Sequence, residues 1–225
     1  MSATVNLIQQ RVNALVGQST TVPTDTGTEY AIRLSFINQA LEEWAGAYEW
    51  EALRKELWMP VTGVSQASIT LPADFQKMAG YPRFHSGGVS GGEDWPEVLP
   101  EERSQQLSTD KYFYTLGNQG DGKTMIWNPG TLASGASLLL SYYSYPTSLA
   151  SPTNILPVED SEFFVKRVAA YVLQSRNDPR WQQIETQARE NLLQLIDREN
   201  NKGLSYQNTI KTTEESRWGF RIGRD

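Results

Sequence analysis

Residues Thr28 to Trp58 read TEYAIRLSFINQALEEWAGAYEWEALRKELW. Within them Tyr30, Leu34, Ile37, Leu41, Trp44 and Tyr48 recur at alternating spacings of four and three, the stripe of one helix face. No Gly or Pro interrupts the stripe before Gly46. Asp25 or Thr28 is placed to cap its start, accepting from amides that have no partner inside the helix. After Tyr48 the phase is lost, because Trp50, Leu53 and Leu57 fall on another face. That predicts a helix end near Glu49 to Glu51. Trp44 and Tyr48 would each bury roughly 150–250 Å², so this helix is expected to be the central member of a bundle.

The neighbouring segments supply the rest of that bundle. Before it, Val5, Ile8, Val12 and Leu15 predict a short amphipathic helix capped by Ser2 or Thr4, and Gly17 to Gly27 reads as a loop. Near the far end, Asp160 or Ser161 starts a helix through Gln174 with Phe164, Val168 and Tyr171 on one face. Asp178-Pro179 then caps a helix carrying Trp181, Ile184, Ala188, Leu192 and Leu195 to about Asn200. The short connection between these two predicts antiparallel packing.

Between the helical ends the period changes. Glu56 to Val61 and Ala67 to Leu71 predict two strands of a hairpin, and Lys77 to Phe84 a third, weakened by Gly80 and Pro82. Leu99 to Leu107 reads as a short helix with Pro100 in its first turn. Tyr112 to Leu116 and Thr124 to Trp127 are strands around a Gly-rich turn. Ser137 to Tyr145 is the strongest strand, stopped by Pro146. His85 to Asp94 reads as a loop tip rich in Gly, with no packing role assigned to residues 86–92. The class is α+β: a helical bundle from residues 1–52 and 151–201, a β-rich insertion at 53–150, and an extended C-terminal arm at 202–225.

With 225 residues, 39% hydrophobic and 20% charged, the chain is globular. A net charge of -6 argues against a dedicated nucleic-acid binder. No apolar run suits a membrane span, and MSATVNLIQQ lacks the pattern of a signal peptide. The absence of Cys removes disulfides, thiolate nucleophiles and Cys-ligated zinc. The single His, His85, leaves little for imidazole catalysis and reads as a surface residue.

Four stretches resemble chemistry. Gly117 to Thr124 (GNQGDGKT) matches the phosphate-loop pattern, but that loop needs a helix directly after it. Here Met125-Ile126-Trp127-Asn128-Pro129-Gly130 favours a strand and then stops, so a β-hairpin turn is expected, without nucleotide hydrolysis. Glu42 and Glu43 could supply the acid of a glycan hydrolase, but adjacent helical residues point about 100° apart, a poor geometry for a carboxylate pair. Glu93, Asp94, Glu97, Glu101 and Glu102 lack calcium-loop spacing. Trp95, Trp127, Tyr142, Tyr143 and Tyr145 could stack on a sugar, although alternation along strands would bury every second ring. No catalytic residue, cofactor or metal site is assigned, and the expectation is a protein that is not an enzyme.

At the C-terminus Trp218, Phe220 and Ile222 recur at spacing two, with Arg217, Arg221 and Arg224 among them. Spacing two is that of an extended strand, and apolar rings at a chain end suit docking to a partner.

The order of features resembles the head-to-tail adaptor, or connector, proteins of tailed bacteriophages. The resemblance is carried by Ile37-Asn38-Gln39-Ala40-Leu41-Glu42-Glu43-Trp44, Tyr48-Glu49-Trp50, Ile69 to Phe75 (ITLPADF), the Leu138 to Tyr145 strand and the Asp160 to Asn200 helical pair. It implies a structural virion protein of the neck, assembled in the host cytoplasm. It further implies a ring, usually of twelve copies, with a channel through which viral DNA passes without specific binding. Partners would be the portal protein, a downstream tail or neck protein and further copies of the chain, with no membrane. The alternatives are a virion-associated peptidoglycan or glycan hydrolase and a carbohydrate-binding tail component.

Overall fold

A computed structural model describes residues 3–18, 27–61, 68–85, 92–99, 101–107, 110–117, 122–128, 135–158 and 160–218, with the backbone alone at 103 and 203–218. The chain is mixed α+β and divides into two compact units, Met1–Glu51 with Ser148–Asp225, and Ala52–Thr147.

The first unit holds α1 (Val5–Val16), α2 (Thr28–Ala47), α3 (Glu162–Ser175) and α4 (Trp181–Trp218). Thr4 caps α1, its hydroxyl accepting from Leu7 N at 3.3 Å. Gly17 ends α1 at φ 74°, donating to Asn13 O, the left-handed close that suits glycine. The N-cap of α2 is Gly27, with no side-chain bond. Thr28 is already helical, so it does not cap, and Asp25 lies outside the described residues. The helix stops at Ala47, two residues before the expected range. Trp50 explains the early stop: its indole donates to Trp44 O at 2.6 Å and stacks on the Trp44 ring at 4.8 Å. It thereby satisfies one of the carbonyls orphaned at a helix end.

α2 is not the central helix. That place belongs to α3, which packs against α1, α2 and α4. Phe163, Phe164, Val165, Val168, Ala169, Ala170, Val172 and Leu173 are all buried, so α3 is apolar nearly all round, as a core helix must be. α2 keeps one wet face. Its buried side is Tyr30, Arg33, Ile37, Ala40, Leu41, Trp44 and Ala45, close to the predicted stripe. α3 and α4 run antiparallel, because Asp160 meets Arg198, Lys166 meets Asn191 and Arg167 meets Glu185.

α4 continues through Lys202 and Gly203 to Trp218, 38 residues in all, where a C-cap at Gly203 and an extended arm were expected. A single helical Gly costs only about 1 kcal/mol relative to Ala, and no Pro follows to force a stop. At 1.5 Å per residue the helix is about 57 Å long.

In the second unit all the named strands pair antiparallel, and one isolated parallel bridge joins Glu97 to Phe113. Its larger sheet has the order β1 (Arg54–Pro60), β8 (Ser137–Ser144), β4 (Arg83–His85), β5 (Glu93–Asp94), with β3 (Phe75–Met78) also on β8. The smaller sheet is β2 (Ser68–Thr70), β7 (Thr124–Trp127), β6 (Phe113–Leu116). β8 alternates buried Leu138, Leu140, Tyr142 and Ser144 with half-buried neighbours, the period-two pattern of a one-sided core. The expected β1–β2 hairpin does not form: β1 pairs with β8 and β2 with β7. The expected strand from Lys77 to Phe84 is two strands, β3 and β4, separated by the segment holding Gly80 and Pro82. The expected helix at Leu99 to Leu107 is a 3-10 turn, Glu102–Gln105. Residues from both sheets, among them Phe75, Phe84, Trp95, Phe113, Met125, Trp127 and Leu138, form one apolar cluster.

Candidate functional site

Within the helical unit the densest charged constellation gathers on α2, α3 and α4. Arg167 of α3 grips Glu43 of α2 with two bonds, Nε to Oε2 at 2.7 Å and Nη2 to Oε1 at 2.8 Å. This fork geometry is the strong form of the pair. The Tyr171 hydroxyl, one turn along α3, donates to Glu43 Oε1, and the Arg167 guanidinium lies 4.6 Å from the Tyr171 ring centre. On the other side Arg167 Nη1 reaches Glu185 of α4 at 3.1 Å, and Arg189 braces the same carboxylate at 2.6 Å. One guanidinium therefore joins three helices.

The electrostatics follow from that geometry. Burial pushes the Glu43 carboxyl upward, but the bonds from Arg167 and Tyr171 outweigh it and hold its pKa below the ordinary value. Burial and the Glu43 carboxylate push the Tyr171 hydroxyl up to about 12. A glycosidase acid needs the reverse, a carboxyl kept protonated near neutrality. Glu43 is thus a structural anion. Glu42, its neighbour, is exposed.

A buried cation organises α1 and α2. Arg33, 3% exposed at its side chain, donates to Asn13, and to Gln18 and Glu29 at 2.6 Å each. Asn38, in the stretch that carries the family resemblance, binds the backbone of Leu149 twice, at 3.0 and 2.8 Å. It ties α2 to the chain leading into α3.

The phosphate-loop look-alike is a hairpin. β6 and β7 pair with Leu116 opposite Thr124, and Gly117 and Gly122 turn the chain at φ 97° and 81°. A strand follows Lys123 instead of a helix. The Lys123 ammonium donates to Gln76 O at 2.7 Å and lies 5.2 Å from the Phe75 ring centre. Within the acidic cluster, Asp94 pairs with Arg83, Glu93 pairs with Lys111, and Glu97 accepts from the Thr115 hydroxyl. Among the described residues no three of His, Asp and Glu converge to hold a metal ion.

Three of the five rings proposed for sugar stacking, Trp95, Trp127 and Tyr142, are buried in the core. Lys77 lies over the Tyr143 ring at 5.6 Å. The Tyr142 hydroxyl donates to Asp74 at 3.1 Å, and burial with that carboxylate pushes its pKa up to about 12. His85 is not a surface residue: it is 4% exposed and packs against Trp58 at 4.9 Å between ring centres. Its apolar neighbours on adjacent strands lie far away in sequence, so its own loop-like surroundings gave no sign of burial.

Of the expected docking residues, Arg217 and Trp218 fall in the last turn of α4, where Trp218 is helical and not extended. Phe220, Arg221, Ile222 and Arg224 lie outside the described residues. Sequence reasoning missed Arg167. Its signal is an arginine inside the apolar run Phe163 to Leu173, a placement that demands a partner. It also missed the exposed edge of β1, whose apolar composition reads as a core strand.

The groups offered for chemistry, Glu43, Lys123, Glu93 and Asp94, are thus each tied to a neighbouring element of their own unit. The chain matches the SU10 adaptor protein family over residues 3–211 and belongs to that family of bacteriophage adaptors. No curated protein matches the chain. No helix among the described residues is long and apolar enough to cross a membrane.

Proposed function

We propose that this adaptor forms a ring, of twelve copies, at the neck of the virion between the portal and the tail, with a central channel for DNA. The observation that carries this reading is family membership across almost the whole chain, residues 3–211. The charge is suited to the role. Twelve copies at -6 each carry about -72, and a wall of like charge lets DNA pass without sticking. The ring assembles in the host cytoplasm from subunits whose division of labour follows the chain. Residues 1–52 and 151–201 form the helical bundle, 53–150 the β-rich insertion, and 202–225 the arm that docks on the portal or a neighbouring subunit through Arg217, Trp218, Phe220, Arg221, Ile222 and Arg224. The other face meets a downstream tail or neck protein.

Electron microscopy of the purified protein with and without portal particles tests the ring. Twelvefold density stacked on the portal is expected, and portal particles that stay bare would defeat the reading. Deleting Thr212 to Asp225 should cost only the helical circular dichroism of residues 212–218, leave the rest of the subunit folded, and weaken portal attachment at least tenfold. Unchanged attachment would remove the docking role from the arm.

A further inference from the structure

β1 is a terminal strand of seven residues, bonded to β8 on one side and to no strand among the described residues on the other. Lys and Pro are residues that blunt an edge, and β1 carries Lys55 near its start and Pro60 at its end. Between them Glu56-Leu57-Trp58-Met59 is left open. Leu57 is 38% and Trp58 45% exposed, and they point to opposite faces of the sheet. Leu57 stands opposite buried Leu140 on the core side, where Met59 packs against the apolar cluster. Trp58 stands opposite Leu139 on the outer side, its ring packed on His85. A flat surface or a helix laid on the sheet would cover one of the two. A strand added along the edge, with its own side chains alternating, covers both.

The pattern of that edge indicates its occupant. The added strand needs two large apolar residues at spacing two for the core side, and between them a side chain that lies along an indole. A strand taken from either sheet would bring its whole sheet with it, whereas a segment outside the described residues comes alone. Of such segments with four or more residues, 118–121 holds no large apolar residue, and 19–26, 62–67, 86–91 and 129–134 hold a single Val or Leu each. Residues 219–225 (GFRIGRD) hold Phe220 and Ile222 at spacing two. They follow Trp218, the last residue of α4, and open with a glycine, the residue that commonly ends helices. With Phe220 and Ile222 turned to the core side, beside Leu57 and Met59, Arg221 falls on the outer side along Trp58. A guanidinium stacks on an exposed indole, and Arg and Trp are the side chains that most often anchor an interface.

We infer that the open edge of β1 in one copy receives residues 219–225 of a second copy as an added strand. The giving and receiving surfaces are different, so each copy gives one arm and accepts one. That is the head-to-tail contact from which rings are built. The inference rests on the ring reading and names β1 of the neighbouring subunit as the place where its arm docks.

The chain has no Cys, so introduced thiols are read without background. Glu56 stands on the outer side with Trp58, opposite Ser141, and Arg221 of the second copy is expected on that side too. Glu56→Cys and Arg221→Cys are made as separate variants, mixed, assembled on portal particles and treated with a short bismaleimide. The mixture should give covalent dimers that neither variant gives alone, and a chain carrying both substitutions should give a ladder of higher oligomers. Trp58→Glu added to the first variant, or Phe220→Asp added to the second, each checked for fold by circular dichroism, should lower the dimer yield at least tenfold. Rings seen by electron microscopy with no dimers from the mixture would overturn the contact and leave the ring standing. A doubly substituted chain that links only to itself would overturn the assignment to a second copy. Dimers from Glu56→Cys alone would replace the contact with a two-fold β1–β1 pairing. Portal particles without rings would remove the ring reading itself, and this inference with it.

Discussion

The helical unit and the sheet unit use charge differently. In the helical unit two arginines stand where helices meet: Arg33 binds Asn13 of α1 and Glu29 of α2, and Arg167 binds Glu43 of α2 and Glu185 of α4. In the sheet unit the ion pairs Lys55–Asp74, Arg83–Asp94 and Lys111–Glu93 lie on the exposed surface over one aromatic core. The difference has a physical cause. A helix satisfies its backbone internally, so side chains must specify which helices meet and at what angle. A strand leaves its backbone groups open along both edges, so the ladder itself sets its neighbours and register. In the helical unit charge helps specify packing; in the sheet unit it decorates a packing set by backbone and aromatic area.

The largest effect should come from the aromatic core. Phe113→Ala removes a ring buried in the cluster and should destabilise the sheet unit by about 3–5 kcal/mol, read as a shift of its urea midpoint with tryptophan fluorescence. Next is Arg167→Met, which leaves the Glu43 and Glu185 carboxylates facing each other without their shared cation. It should cost the helical unit about 2 kcal/mol, measured by the helical signal in urea. The same comparison predicts sensitivity to acid. The folded-state pKa of Glu43 lies below its ordinary value of 4.5 despite the opposing burial, because of Arg167 and Tyr171. That of Asp160 lies below 3.8, chiefly through the Glu162 amide and then Arg198. Their contribution is fully present above the ordinary values and is lost as pH falls through the lower folded ones. Arg167→Met should therefore flatten the acid limb of the helical unit's stability, with the sheet unit's limb unchanged.

A smaller effect is expected at Gly203, inside α4. Gly203→Ala should raise the helicity seen by circular dichroism and stabilise the helix by about 1 kcal/mol. A true C-cap glycine would respond in the opposite direction. The smallest is Lys123→Ala, which removes the ammonium from Gln76 O and the Phe75 ring and should cost about 0.5–1 kcal/mol. Wild type and variant should both lack ATP hydrolysis. Lys123-dependent ATPase activity would contradict the hairpin at Gly117 to Thr124.

What the sequence determined by itself is local. The spacing of Tyr30, Ile37, Leu41 and Trp44 marks the buried face of α2. The Leu- and Tyr-rich run from Ser137 to Tyr145, stopped by Pro146, marks β8, and the strand-and-Pro continuation after Thr124 separates a hairpin from a phosphate loop. Each rests on residues within a few turns or strand repeats, where periodicity and turn chemistry dominate. Tertiary structure decided what depends on distant partners. It made α3 the central helix, because Val165, Ala169 and Ala170 can be buried only once helices close on every side of it. It sent β1 to β8 and β2 to β7, because strand edges choose the partner that completes a common core, not the nearest in sequence. It buried His85 beside Trp58 and turned Glu43 from a candidate acid into the anion of Arg167. A periodic pattern reports which face of an element is apolar; only the packed chain determines which surface meets it.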